Sequence, residues 1–210
     1  MDRSKNAISV FDKHAKLYAE KFMNVDLYGE TLDAFCKAIK KGNPEVLEVA
    51  CGPGNITKYL LNKRPDIKIL GTDLAPNMLA FAKINNPAAE FQLMDARDIT
   101  KFPKKIDAIM CGFCFPYFTK EEAIKFITDA SAILKTRGVL YISTMEDDYS
   151  RSGFRKSSQG DEIFMNFHQA DYLTDALLKN NFSVLKTERI TSVMTDDTKV
   201  IDLVLIAETK

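Results

Sequence analysis

The chain has 210 residues, 46 % of them hydrophobic, enough for one sizeable domain with a packed core and too apolar for a disordered chain. Its 29 basic and 29 acidic residues cancel, and basic residues do not cluster beyond pairs such as Lys40-Lys41 and Lys104-Lys105, so a nucleic-acid partner is not expected. No apolar run approaches the ~18 to 20 residues that cross a bilayer, and Met1 to Asn6 lacks the apolar core of a signal peptide, so the expectation is a cytoplasmic protein with no membrane partner.

In chain order, residues 7–41 read as helical. Tyr28, Leu32, Phe35 and Ile39 recur at i, i+4, i+7 and i+11, and Gly42 is the expected C-cap before a break at Asn43-Pro44. A first strand, 46–50, is apolar except for Glu48 and runs into Cys51-Gly52-Pro53-Gly54. A helix at 56–61 leads to a second strand, 67–72, that ends at Asp73. A helix from about 76 to 84 opens on a proline, which the first helical turn tolerates. A third strand, 89–94, ends at Asp95, and a fourth spans 106–111. Helix 119–135 is the best marked: Thr119 and Glu122 have capping-box spacing, and Ala123, Ile127, Ala130 and Leu134 share a face. Gly138 is expected to close that helix before a fifth strand at 139–143. Residues 145–168 read as polar and irregular, followed by a helix near 169–180 and strands at 182–190 and 199–208.

Short apolar strands alternating with helices predict an α/β fold, a seven-stranded, mostly parallel sheet with helices on both faces. The last two strands have no helix between them and are expected to pair antiparallel at one edge. In such sheets ligands bind beyond the carboxyl ends of the strands, and the polar candidates sit there. Gly52 and Gly54 follow strand one, Asp73 ends strand two 21 residues after Gly52, and Asp95 ends strand three. Glycine lets the backbone turn tightly and approach a ligand. A carboxylate ending strand two can accept both hydroxyl protons of a ribose, and one ending strand three can accept from an adenine amino group. Glu48 is costly to bury without a partner; a buried Lys or Arg, or a cationic ligand amine, would supply one. Taken singly, Gly52-x-Gly54 is also an ordinary turn, and Asp73 or Asp95 an ordinary helix N-cap.

Together these segments resemble class I S-adenosylmethionine (SAM)-dependent methyltransferases. Residues 48–54 are similar to the glycine-rich first motif, Gly71 to Leu79 to the acidic second motif, Phe91 to Ala96 to the third, and Ile133 to Leu140 to the junction before strand five. The resemblance covers residues 7–145 well and the remainder loosely. It implies a Rossmann-like fold that binds SAM, releases S-adenosylhomocysteine (SAH) and methylates a small-molecule acceptor by in-line displacement. It also implies roles. Ala50, Cys51, Gly52 and Gly54 would hold the methionine portion, with Glu48 on its amino group; Asp73 would hold the ribose. Leu74 and Met78 would flank the adenine, Asp95 and Ala96 would meet its edge, and Cys111 and Gly112 would line the site. Tyr18 is similar to the lid tyrosine of small-molecule members. Ala50 stands where many members carry glycine, which alanine can replace if φ stays negative. The expected division is an N-terminal helical lid at 1–43, a SAM-binding core at 44–145, and an acceptor-side segment with the C-terminal strands at 146–210.

Two other functions stay open: a protein that binds SAM or SAH without turnover, and an NAD-dependent oxidoreductase. The NAD fingerprint needs a third glycine where Thr57 stands, and Glu48 has the wrong sign for a pyrophosphate. Methyl transfer from a sulfonium can run on alignment and water exclusion alone, so catalytic residues are hard to read. His168 is the candidate base and Tyr117 a candidate for orienting the acceptor; the alternatives are a surface histidine and a tyrosine packed with Phe113, Phe115 and Phe118. That aromatic run could also wall an apolar acceptor pocket. Phe115-Pro116-Tyr117 lacks the Asn or Asp of the motif used to methylate base amino groups, position 114 being cysteine. Four cysteines, Cys36, Cys51, Cys111 and Cys114, are too few for a disulfide scaffold. Cys111-x-x-Cys114 closes a strand and has no partner pair or nearby histidine, so core thiols are expected and no metal site. Residues 146–167 form either a surface loop or a lid. As a lid, Arg151, Arg155 and Lys156 would favour an anionic acceptor.

Overall fold

The computed structural model describes residues 3–156, 159–193 and 199–210. Its centre is a seven-stranded sheet in the order β3-β2-β1-β4-β5-β9-β8. Strands β1 (Glu45–Val49), β2 (Lys68–Asp73), β3 (Glu90–Leu93), β4 (Ile106–Cys111) and β5 (Leu134–Glu146) run parallel. β9 (Lys199–Thr209) lies antiparallel between β5 and the outer strand β8 (Phe182–Val193). Strand order reverses at β1, which β2 and β4 flank.

Side-chain alternation along the strands builds two cores. Leu47, Val49, Ile109, Leu140 and Leu205 face α6 (Lys120–Ile133) and α7 (Ala170–Lys179). Val46, Ile69, Ala108, Tyr141 and Val204 face α3 (Gly29–Ala38) and α4 (Asn55–Lys63). Both faces are apolar because helices cover both. Helix α5 (Pro76–Asn85) packs beside β2 and β3. At the start of α6 the predicted capping box is complete: the Glu122 amide donates to Thr119 Oγ1 (3.2 Å) and the Thr119 amide to Glu122 Oε2 (2.8 Å).

Four sequence expectations change. The helix expected over 7–41 is broken into α1 (Arg3–Lys13), α2 (Ala15–Phe22), a 3₁₀ turn and α3, with the first break at His14, whose φ of −107° and ψ of 19° are not helical. Leu32, Phe35 and Ile39 are buried as the periodicity requires, but α3 ends at Ala38 and Gly42 caps nothing. Helix α6 likewise stops at Ile133, and Gly138 lies inside β5, where a Cβ would fall 2.7 Å from the Lys135 carbonyl oxygen. The polar stretch 145–168 is not irregular. It folds into an antiparallel hairpin, β6 (Gly153–Lys156) with β7 (Glu162–Met165), while positions 157 and 158 lie outside the described residues.

That hairpin holds α1. Ala7 and Val10 pack on Ile163, the Asn6 side-chain amide donates to the Glu162 carbonyl (2.5 Å), and Lys13 and His14 reach Asp161 at 3.1 and 2.7 Å. On the other side Asp12 accepts from the Asn77 backbone amide (2.7 Å) in the first turn of α5. Helices α1 and α2 are thereby tied across the carboxyl ends of β1, β2 and β4.

Candidate active site

One cavity lies between those strand ends and α1–α2, with about 880 Å³ of space counting the part open to solvent. Its floor comes from the β1 and β2 turns. Ala50 and Gly52 line it, as do Asp73, Leu74 and Met78. Gly52 has φ +54° and a Cβ there would meet nothing, so its missing side chain leaves open space over the turn.

Asp73 fastens two turns together. Its Oδ2 accepts from the Gly52 amide (2.9 Å) and its Oδ1 from the Ala75 amide (2.8 Å). The Leu74 amide also favours its ionised form, and a carboxylate's roughly four acceptor positions are not all taken by these donors. Burial raises its carboxyl above the usual carboxylate range, against the pull of those backbone donors.

The other predicted residues fall into two groups. Asp95, Ala96, Gly112, Tyr18 and Tyr117 line the cavity. Asp95, however, is engaged: its carboxylate accepts from the Arg97 backbone amide and from the guanidinium, with Nη2 at 2.7 Å. Its acceptor capacity is therefore largely spent, and the neighbouring backbone is the freer polar edge. Burial pushes the Tyr18 phenol up to about 12 and raises that of Tyr117, so both hydroxyls stay protonated. Neither hydroxyl makes a hydrogen bond to any other described residue.

Glu48, Cys51, Gly54, Cys111 and His168 are not in the wall. Gly54 (φ +78°) is a packing glycine: a Cβ would sit 2.3 Å from the Asn86 amide nitrogen and 3.3 Å from Ala82 of α5. Cys51 is buried among Leu79, Ala82 and Phe91, and Cys111 is a core residue of β4. All four cysteines are free thiols, and burial raises Cys36, Cys51 and Cys111, which keeps them protonated and unreactive.

Glu48 is fully buried just below the β1 turn. Neither Lys nor Arg among the described residues pairs with it, and its Oε2 accepts from Thr57 Oγ1. Desolvation pushes its carboxyl up to about 8, so it is mostly protonated at neutral pH. Thr57, at the third-glycine position of a dinucleotide fingerprint, is thus the partner of a buried acid.

Two expectations fail here. Ala50 has φ +52°, so alanine occupies a left-handed conformation that glycine takes without strain. His168 is fully buried behind Phe115, to whose carbonyl its Nε2 donates (2.8 Å); that fixes the tautomer, and Nδ1 accepts from the Tyr172 hydroxyl. Burial lowers its pKa. With both nitrogens bonded and neither facing the cavity, His168 is a structural residue and not a base.

Several wall residues were not singled out as site residues from the sequence: Ala7, Ile8 and Phe11 of α1, together with Met94, Arg97 and Cys114. Arg97 was the most findable, two residues after an acid that it must neutralise. Phe113, Tyr117 and Phe118 do form an apolar wall, whereas Phe115 faces the core with Phe126. The loop cations do not reach the cavity: Arg151 pairs with Asp147 (2.7 Å) and Arg155 lies over the Phe167 ring.

Residues 46–138 match a family described as a methyltransferase domain. A malonyl-[acyl-carrier protein] O-methyltransferase of Acetivibrio thermocellus is 31 % identical over 69 % of this chain and 48 % of its own length. A demethylmenaquinone methyltransferase of Thermotoga maritima is 28 % identical over 66 % of this chain and 61 % of its own length. The chain thus spans between 48 and 61 % of the length of those curated relatives. Among solved structures, an S-adenosylmethionine-dependent methyltransferase from Clostridium acetobutylicum superposes with a TM-score of 0.72 at 15 % identity, covering 95 % of this chain and 99 % of that one, which establishes the fold.

Proposed function

We propose that this chain is a class I SAM-dependent methyltransferase that transfers a methyl group from SAM to a small-molecule acceptor and leaves SAH, a reading supported by the match of residues 46–138 to a methyltransferase domain and by the named relatives. The observation that carries the reading is the junction of Gly52 and Asp73: two turns joined through one carboxylate at the floor of the cavity, with acceptor sites to spare and open space beside them. A ribose diol fits the spare sites, and the space over Gly52 fits the methionine portion held along 50–52. Leu74 and Met78 flank the adenine, while the backbone around Asp95 and Ala96 meets its edge. Glu48 acts from beneath the turn: a ligand ammonium nearby would favour its ionised form.

When bound, SAM supplies a methyl group on a cationic sulfur. The chain itself aligns the partners and excludes water, which is where much of the rate of such displacements can come from. In this reading α1 and α2 are the working part of the 1–43 lid, 44–145 holds the nucleoside, and 146–210 supports the acceptor side through the β6–β7 hairpin. Balanced charge favours a small-molecule acceptor over nucleic acid, and four free thiols suit the cytoplasm. No helix among the described residues is long and apolar enough to cross a membrane.

Isothermal titration is the direct test. Wild type should bind SAM and SAH and ignore NAD. Asp73→Asn keeps the shape but loses the charge-assisted bonds to the diol, and should weaken SAM by about 100-fold. Unchanged affinity in that variant would sink the assignment. A second reading, binding without turnover, draws support from His168 being sealed away from the cavity. SAH accumulating from SAM in the presence of an acceptor decides between the two.

A further inference from the structure

Two acids meet at the turn that closes β1, and among the described residues neither pairs with a cation. Asp73 lies in the floor, and Glu48 lies beneath it at 1 % exposure. The side chain that answers Glu48 is neutral: the Thr57 hydroxyl of α4 donates to its Oε2. Its neighbours across the sheet, Gly71 of β2 and Met110 of β4, carry no charge. The Glu48 carbonyl accepts from Thr72 Oγ1 (3.2 Å), and the Thr72 carbonyl accepts from the Cys51 amide (2.9 Å), so the acid is built into the same unit as the turn above it. The titratable groups whose charge reaches it are Asp73 and Cys51. Burial and the charge of Asp73 both favour the proton on Glu48, and burial together with the two acids keeps the Cys51 thiol protonated.

An acid that keeps its proton presents no fixed charge until a cation arrives beside it. Glu48 stands two residues before Ala50, which lines the cavity with Gly52 at the end assigned to the methionine portion. The other acids of the wall are committed elsewhere. Asp95 is neutralised by Arg97, and Asp73 faces the sugar in the reading above. Glu48 is therefore the acid placed to answer a positive charge over the turn.

We infer that loading of the cavity is coupled to proton release: a nucleoside that carries an amino-acid ammonium expels the Glu48 proton to solvent as it seats, whereas a nucleoside without that group leaves Glu48 neutral. The inference rests on the methyltransferase reading above. The O–H bond of Glu48 breaks with its electron pair staying on oxygen, and the proton passes to water. The carboxylate keeps the bond from Thr57 and gains the ligand's positive charge as its neighbour. The sign follows by linkage. Ionising Glu48 costs less as pH rises, so affinity for SAM and SAH climbs with pH through neutrality, while affinity for a nucleoside lacking the ammonium does not.

The test counts protons by calorimetry with the full chain at pH 7. SAH and 5′-methylthioadenosine, which keeps the adenosine and lacks the amino acid, are each titrated in phosphate, HEPES and Tris, whose ionisation enthalpies differ. A nearby positive charge lowers a carboxyl by about 1–3 in pKa. Starting from about 8, SAH should release about 0.4–0.9 proton per site and methylthioadenosine close to none. Because both ligands carry the ribose, the difference between them removes any contribution from Asp73. Glu48→Gln should release none with SAH and bind it roughly tenfold more weakly; its unchanged affinity for methylthioadenosine reports that the variant is folded. No release with SAH, equal release with both ligands, or release that survives in Glu48→Gln overturns the coupling. Where methylthioadenosine binds too weakly to count, the wild-type and variant counts with SAH decide. Failure of SAH itself to bind wild type is a different result: it removes the methyltransferase reading, and this inference with it.

Discussion

The floor and the roof of the cavity are built in opposite ways. The floor is backbone turned by glycine and clamped by a carboxylate: Gly52, Asp73 and the Ala75 amide are joined at 2.8–2.9 Å. The roof is side chains: Ala7, Ile8 and Phe11, held over the opening by contacts with the β6–β7 hairpin and with the first turn of α5. A floor of that kind fixes one ligand shape and tolerates little change. A roof of that kind can change its ligand by exchanging rings. On the function proposed above, the constant partner, the nucleoside, belongs to the floor, and the variable partner to the roof.

Three measurements sharpen the contrast, beginning with the largest expected effect. Desolvation under the floor pushes the Glu48 carboxyl up to about 8 from its ordinary 4.5, so the folded state binds the proton more tightly. Its contribution to stability is therefore highest below about pH 4.5, declines as pH rises toward 8, and is flat above, on the order of a few kcal/mol across that window. Thermal melts should show Glu48→Gln without that decline and more stable than wild type at pH 8. Equal pH slopes would mean that the acid is not buried as described. Behind the roof wall, His168→Ala should cost about 1–3 kcal/mol in denaturant unfolding because it orphans the Phe115 carbonyl and the Tyr172 hydroxyl. The pH profile of turnover should keep its shape; a lost limb would restore His168 as a titrating participant. The smallest effect is expected at Ala50→Gly, where relief of the left-handed strain, partly offset by glycine's entropy, should add about 0.5–1 kcal/mol. A destabilised variant would show that the methyl group packs usefully despite its backbone.

The same contrast explains what could be read from the amino acids alone. Strand number, sheet type and the polar residues at strand ends were legible because each obeys a local rule: period-two burial, a glycine at positive φ, a carboxylate at a turn. Ala50 misled because its conformation is set by the turn around it, and no side-chain property announces that. His168 misled because a histidine's role depends on what its two nitrogens touch, and Phe115 and Tyr172 are fixed by tertiary packing. Phe11 was invisible as a site residue because it reaches Tyr18 and Tyr117 only after α1 folds back across the sheet. The β6–β7 hairpin was missed because burial along β6 alternates against side-chain polarity: Phe154 is 57 % exposed while Arg155 is half-buried.

The reversed strand β9 has a consequence for how the molecule is made. Residues 199–209 insert between β5 and β8, and eight residues of β5, from Val139 to Glu146, find their outer partners there. During synthesis the five parallel strands emerge first, and the backbone of β5 stays unpaired on one side until the polypeptide has grown some fifty residues further. A bare, strongly apolar edge is a template for a neighbouring nascent chain. Slowing elongation between β5 and β9 should therefore raise the insoluble fraction, a hazard created by the order in which the ribosome delivers the strands.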